Sequence, residues 1–204
     1  MLTIRLIHGI HAPEGANNMS ALLPHMRDAC PDADVQLFGY GFMGFWQARW
    51  RNNDVASRLA AVWRNGAADQ EVWITHSNGA AVAYLATHSH GARPRMVINI
   101  NPALDRHLAA IAPAVEVIHS DGDRWVDVAQ WLPGHIWGDQ GKMGYGSTWA
   151  AKARRTDVIN HRASAPDFGN MAYDNHMGLF KPKRIAHWSR FIAHRIDERL
   201  GSIK

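Results

Sequence analysis

Ser77 lies in "EVWITHSNGAAVAYLATHSH", residues 71–90, where an apolar run breaks into Thr-His-Ser-Asn-Gly. Turns use Ser, Asn and Gly for plain backbone reasons. The pentapeptide therefore has two readings: a turn hydroxyl, or a nucleophile lifted clear of a sheet on a sharp strand-to-helix bend. Such a bend also aims the helix N-terminus at whatever binds beside the serine. Gly79, Ala80, Ala81 and Ala83 allow close packing of that helix on the strand. The usual Gly-x-Ser-x-Gly pattern is met except at its first position, which is Thr75.

A serine hydroxyl is a poor nucleophile until a base removes its proton, and the base needs an acid to fix its tautomer. Of the 13 histidines, His176 in "YDNHMGLF" sits in a polar turn just ahead of a last helix, where it could lean over the serine. His8, His11, His76, His119 and His161 compete with it. His8 precedes a tight Gly turn and suits a structural hydrogen bond. His76, directly before the serine, should point away from it. The acid should follow a strand between Ser77 and His176, and "VEVIHSDGDRWVDV" offers Asp121, Asp123 and Asp127. A small residue, two spacers and then the acid selects Asp123. Asp121 stands next, because Asp-Gly is also a natural turn pair. Acyl transfer further needs fixed donors for its tetrahedral oxyanion. The backbone N–H of Asn78 is one candidate, and Ile10, with His11 beside it, offers another.

These residues need a scaffold. "LTIRLI", "DVQLFGYG", "EVWIT", "RMVINI", "AVEVIHS" and "DVINH" read as strands. "MSALLPHMRDAC", "NGAAVAYLATHSH" and the short "DRHLAAIAP" read as helices. Another helix, capped by Asn52 or Asn53, would carry Val55, Leu59, Val62 and Trp63 on one face. Apolar strands alternating with helices predict an α/β fold, a mostly parallel sheet of about six strands with helices on both faces. Ligands bind such sheets at the carboxyl ends of the strands. His8-Gly9, Gly39–Gly41, Ser77, Asn101 and Ser120–Asp123 should then share one rim. Residues 130–150, with Trp131, Trp137, Met143, Tyr145 and Trp149 among glycines, read either as a flap over that rim or as a loop burying its aromatics. No repeat or linker interrupts the chain, so 1–204 reads as one domain.

Composition narrows the function classes. The 204 residues are 47% hydrophobic and 20% charged, the balance of a globular chain. No apolar run approaches the ~18 residues of a membrane helix, and "MLTIRLIHG" reads as a first strand rather than a signal peptide. A cytoplasmic location without stable membrane insertion is expected. Cys30 is the only cysteine, which excludes an internal disulfide and a Cys-based zinc site. No histidine spacing suggests a metal site. The net charge of +4 is concentrated in "KPKRIAHWSRFIAHRIDERLGSIK". There Ile185, Trp188, Ile192, Ile196 and Leu200 mark the buried stripe of an amphipathic helix. The basic residues then form its solvated face, and no nucleic-acid partner is expected.

Taken together, "LIHG", "FGYG", "THSNG", "INPAL", "IHSDGDRWV" and "NHMGLF" resemble the α/β-hydrolase superfamily over nearly the whole chain, in its order Ser, Asp, His. Thr75 and Ser120 depart from its usual glycines. The resemblance implies a small esterase- or lipase-like serine hydrolase acting on a small-molecule ester. Ser77 would be its nucleophile, His176 its general base and acid, and Asp123 the orienting partner. Ile10 and Asn78 would form the oxyanion hole. It needs no cofactor. Tyr40, Phe42, Trp137 and Met177 would line an apolar pocket, with His11 near it. Two strands that precede the sheet in larger members are missing, and no large cap domain is expected. Two other functions fit the same residues: a non-catalytic binding protein on this fold, or a thioester or amide hydrolase on the same triad.

Overall fold

Runs of five or six apolar and β-branched residues, each ended by a turn or a helix start, pair into one sheet. The computed structural model describes residues 1–10, 17–66, 70–129, 137–146 and 156–201. Its strands are β1 (Thr3–Ile7), β2 (Asp34–Phe38), β3 (Glu71–His76), β4 (Met96–Ile100), β5 (Ala114–His119) and β6 (Asp157–Arg162). They lie in the order β2-β1-β3-β4-β5-β6, and every pairing is parallel. The expected fold class is borne out.

Side chains alternate across the strands, which splits the core in two. Ile7, Trp73, Val97 and Val117 face α2 (Phe45–Asn65) and α3 (Gly79–His88). Ile4, Leu6, Ile74 and Ile98 face α1 (Asn18–Ala29) and a C-terminal helix at Pro182–Leu200. Among the described residues, two short helices lie between β5 and β6: α4 (Arg124–Ala129) and α5 (Gln140–Met143). The C-terminal helix is therefore α6.

In α6, Ile185, Trp188, Ile192 and Ile196 are buried as the periodicity requires, each worth roughly 1.5–3 kcal/mol. Its basic face is not wholly solvated, contrary to expectation. Arg195 and Arg199 turn to Glu116, a buried carboxylate on β5 that His161 of β6 also contacts at 2.7 Å. Leaving a carboxylate buried without such partners would be costly.

Two helix expectations are corrected. Helix α2 starts at Phe45, with Gly44 N–H donating to the Gln47 side chain at 2.9 Å, so neither Asn52 nor Asn53 caps it. Its first turns carry exposed Trp46 and Trp50, which hide the inward-facing period. "DRHLAAIAP" forms no helix. The Arg106 carbonyl accepts from Gly146 N–H at 2.9 Å, and the Leu104 carbonyl accepts from Gln140 N–H at 3.0 Å. Carbonyls that a helix would use within itself thus hold the 137–146 segment instead. Among the described residues, no helix is long and apolar enough to cross a membrane.

Candidate active site

Ser77 follows β3 directly and takes φ 55°, a left-handed conformation that costs a non-glycine residue roughly 1–2 kcal/mol. The backbone around it is fully engaged. Ser77 N–H donates to the Ile100 carbonyl at 3.2 Å, and the Ser77 carbonyl accepts from Ala80 and Ala103, both at 3.2 Å. The first turn of α3 crosses the end of β1 so closely that a Cβ on Gly79 would lie 2.5 Å from the Ile7 carbonyl oxygen. Thr75, the departure from the glycine pattern, is accommodated by a polar neighbour on β4: its hydroxyl donates to Asn99 Oδ1 at 2.6 Å.

The loop after β1 passes over the serine. A Cβ on Gly9 would stand 2.9 Å from Ser77 Cβ and 3.3 Å from its Oγ. Ile10 is the next residue along that loop, and Asn78 follows the serine at the start of α3. Tyr40 supports this loop. Its hydroxyl lies 2.6 Å from the His8 carbonyl oxygen and 3.0 Å from that of Gly9, and its ring stacks on His8 at 3.9 Å. Burial pushes the Tyr40 phenol well above its ordinary pKa, so it remains a donor.

His176 Nδ1 lies 2.7 Å from Asp123 Oδ2. The carboxylate is wholly buried, and its other oxygen accepts from Trp125 N–H at 3.1 Å. The acid loop is tied to the His176 loop by Gly122 N–H donating to Asp174 Oδ1 at 2.5 Å. Asp121 instead pairs with Arg162 on the outer edge, and Asp127 pairs with Lys142. Of the three aspartates, Asp123 is the one at the histidine. With Nδ1 held by a carboxylate, Nε2 is the ring nitrogen that can take a proton.

The residues that join base to serine are ones the sequence did not single out for this. The His176 carbonyl accepts from Asn101 Nδ2 at 2.9 Å and lies 3.2 Å from His76 Nε2. His76 immediately precedes Ser77, and Asn101 immediately follows the Ile100 whose carbonyl holds Ser77. Two strand ends thus meet one carbonyl. His76 packs against the His176 ring at 4.6 Å. Burial first, and the neighbouring His176 second, hold its pKa well below the ordinary imidazole value. Asn52, read as a helix cap, is buried in mid-helix and pairs with Asn78.

The residues expected as apolar lining differ in exposure. Tyr40 and Trp137 are buried, while Phe42 and Met177 are exposed, the Met177 sulfur accepting from Asn18 Nδ2 at 3.0 Å. His11 lies outside the described residues, as do 130–136 and 147–150 of the aromatic segment. Its described part, 137–146, packs on the body and buries Trp137 and Tyr145. Among the described residues no cluster of three His, Cys, Asp or Glu side chains could hold a metal ion.

No protein-family model matches this chain, and no curated protein matches it in sequence. Solved structures match it in fold. A protein of Xanthomonas campestris pv. campestris, assigned to the alpha/beta superfamily of hydrolases, is 18% identical with a TM-score of 0.52, over 97% of this chain and 99% of that one. Carboxyl esterase 2 of Tuber melanosporum is 10% identical with a TM-score of 0.56, over 97% of this chain and 78% of that one. A cutinase-like protein from Cryptococcus sp. is 14% identical with a TM-score of 0.53, over 99% and 96%. The chain has the α/β-hydrolase fold.

Proposed function

We propose that the protein is a serine hydrolase that cleaves carboxylic esters through an acyl-enzyme, within a single domain that lacks a large cap. The observation that carries this reading is the 2.7 Å contact between His176 Nδ1 and a fully buried Asp123, on the rim where Ser77 is held at positive φ. A surface histidine needs no buried acid, whereas a general base does. His176 Nε2 takes the Ser77 proton as Oγ attacks the ester carbonyl. The oxyanion rests on the Ile10 and Asn78 N–H groups, each such donor being worth roughly 3–4 kcal/mol of barrier. His176 then passes the proton to the departing alcohol and activates the water that releases the acid. Neither metal nor cofactor enters the sequence. Esterase- and cutinase-like structures among the fold relatives favour a small-molecule ester over an amide.

The test is labelling with a fluorophosphonate, followed by peptide mapping, with heat-denatured protein as control. An adduct confined to Ser77 and lost on denaturation is expected. Hydrolysis of p-nitrophenyl esters should fall by at least about 10³-fold in Ser77→Ala. A folded protein that neither labels nor hydrolyses would overturn the reading in favour of a binding role.

A further inference from the structure

Asn101 is the second non-glycine residue at positive φ among the described residues, at 41°, and it is fully buried. Two local preferences oppose this backbone. An L side chain disfavours the left-handed region, and the following Pro102 disfavours anything but extended conformations for the residue before it. A strained residue persists only where its surroundings over-determine it, and here they do. Asn101 N–H donates to the Ile118 carbonyl at 2.8 Å, continuing the β4–β5 pairing. The carboxamide Nδ2 donates to two consecutive carbonyls, Asn175 at 3.1 Å and His176 at 2.9 Å. Its Oδ1 accepts from the Tyr173 hydroxyl at 3.4 Å.

Glycine would serve a turn alone at lower conformational cost. What asparagine adds is a pair of amide protons directed at the loop that carries the base. Among the described residues, that loop is also held at residue 176 by Asp123, through the ring, and by His76, through the same carbonyl.

Resting on the hydrolase reading above, we infer that Asn101 is a positioning residue that sets where His176 stands relative to Ser77. Its backbone belongs to the strand end that holds Ser77, and its side chain holds the backbone of His176. His76 is the second member of this clamp. A carbonyl only accepts, so His76 carries its proton on Nε2 and donates. Its depressed pKa keeps it neutral when His176 becomes imidazolium during turnover. Loss of the Asn101 donors frees the 175–176 backbone to shift while Asp123 still holds the ring. An error of about 1 Å in such a geometry costs on the order of 10²-fold in rate.

The experiment compares Asn101→Gly, which relaxes the backbone and removes the donors, with Asn101→Asp, which keeps the shape but replaces the donor by an oxygen. Three quantities are read: thermal midpoint, kcat and KM for a p-nitrophenyl ester, and the low-field proton NMR signal of the His176 Nδ1–H. For Asn101→Gly we expect a near-native midpoint, kcat lowered 10- to 100-fold with KM changed less than threefold, and a broadened Nδ1–H signal. Asn101→Asp should be slow as well. A purely structural Asn101 would give an Asn101→Gly protein with kcat within twofold of the parent and a sharp signal, which overturns the proposal. The NMR readout needs no turnover. If the parent protein hydrolyses nothing yet its signal broadens in Asn101→Gly, the clamp stands and the hydrolase reading falls.

Discussion

Asn52 and Asn78 exchange both of their amide hydrogen bonds, at 2.9 and 3.0 Å, in the buried seam between α2 and α3. The pair fastens the residue after Ser77 to a helix whose buried face is otherwise apolar. Asn52→Leu leaves a buried amide unsatisfied and should destabilise by about 1–3 kcal/mol. Asn52→Leu with Asn78→Leu removes both polar groups and should recover part of that loss. Urea unfolding of the four proteins in a double-mutant cycle checks the coupling.

Strain at Ser77 makes a second expectation, independent of catalysis. Ser77→Ala keeps a Cβ at φ 55°, whereas Ser77→Gly releases it, by about 1 kcal/mol. Both variants should be inactive. Calorimetry should place the Ser77→Gly midpoint roughly 2–4 °C above that of Ser77→Ala.

Two glycines near the serine should fail in different ways. A Cβ on Gly79 meets the main-chain oxygens of Ile7 and His8 at 2.5 and 2.8 Å, which cannot yield without moving β1. Gly79→Ala should cost roughly 1–3 kcal/mol or more, as overpacking does. A Cβ on Gly9 meets Ser77 Cβ at 2.9 Å and Ser77 Oγ and the His76 carbonyl oxygen at 3.3 Å, so relief comes from a shift of the Gly9 loop against the serine rather than from moving a packed strand. Gly9→Ala should therefore lower fluorophosphonate labelling far more than it lowers the melting temperature, and comparing the two quantities in both variants is the check.

Acid should loosen the attachment of α6. Burial alone would raise the Glu116 carboxyl, but hydrogen bonds from His161, Arg195 and Arg199 outweigh it and hold its pKa at about 2. A carboxyl depressed on folding stabilises fully above its unfolded value, about 4.5, and loses that contribution as pH falls from there toward 2. The difference corresponds to on the order of 3 kcal/mol. Urea midpoints measured from pH 5.5 down to 2.5 should fall in the parent. They should fall less steeply in Glu116→Gln, which starts lower at neutral pH because Arg195 and Arg199 lose their buried counter-ion.

The sheet was legible because burial on both faces leaves apolar runs that few other structures require, and the order that acyl chemistry demands pointed to Asp123 and His176, which the fold brings to 2.7 Å. The supporting polar groups were not legible. Asn52 reads as a cap because asparagine favours caps, and only the tertiary fold shows that it faces Asn78. Asn101 reads as one more residue at a strand end, although an Asn before a proline, on the rim beside a candidate nucleophile, was a usable sign. "DRHLAAIAP" has helical composition, yet its carbonyls are claimed by residues some forty positions on, a competition no local window contains. Arg195 and Arg199 look solvated from their own helix, since Glu116 lies on a distant strand.

The clamp on the His176 carbonyl joins residues 100 positions apart in the chain. Contacts of such separation form slowly, because a long loop must close before they return any stability. On a ribosome, the strand bearing Ser77 emerges well before the segment that would activate it, and α6 follows later still. On the hydrolase reading, the order of synthesis would act as a safeguard in time: Ser77 would stay an ordinary hydroxyl until the segment bearing His176 has been made and has folded back onto the His76 and Asn101 strand ends.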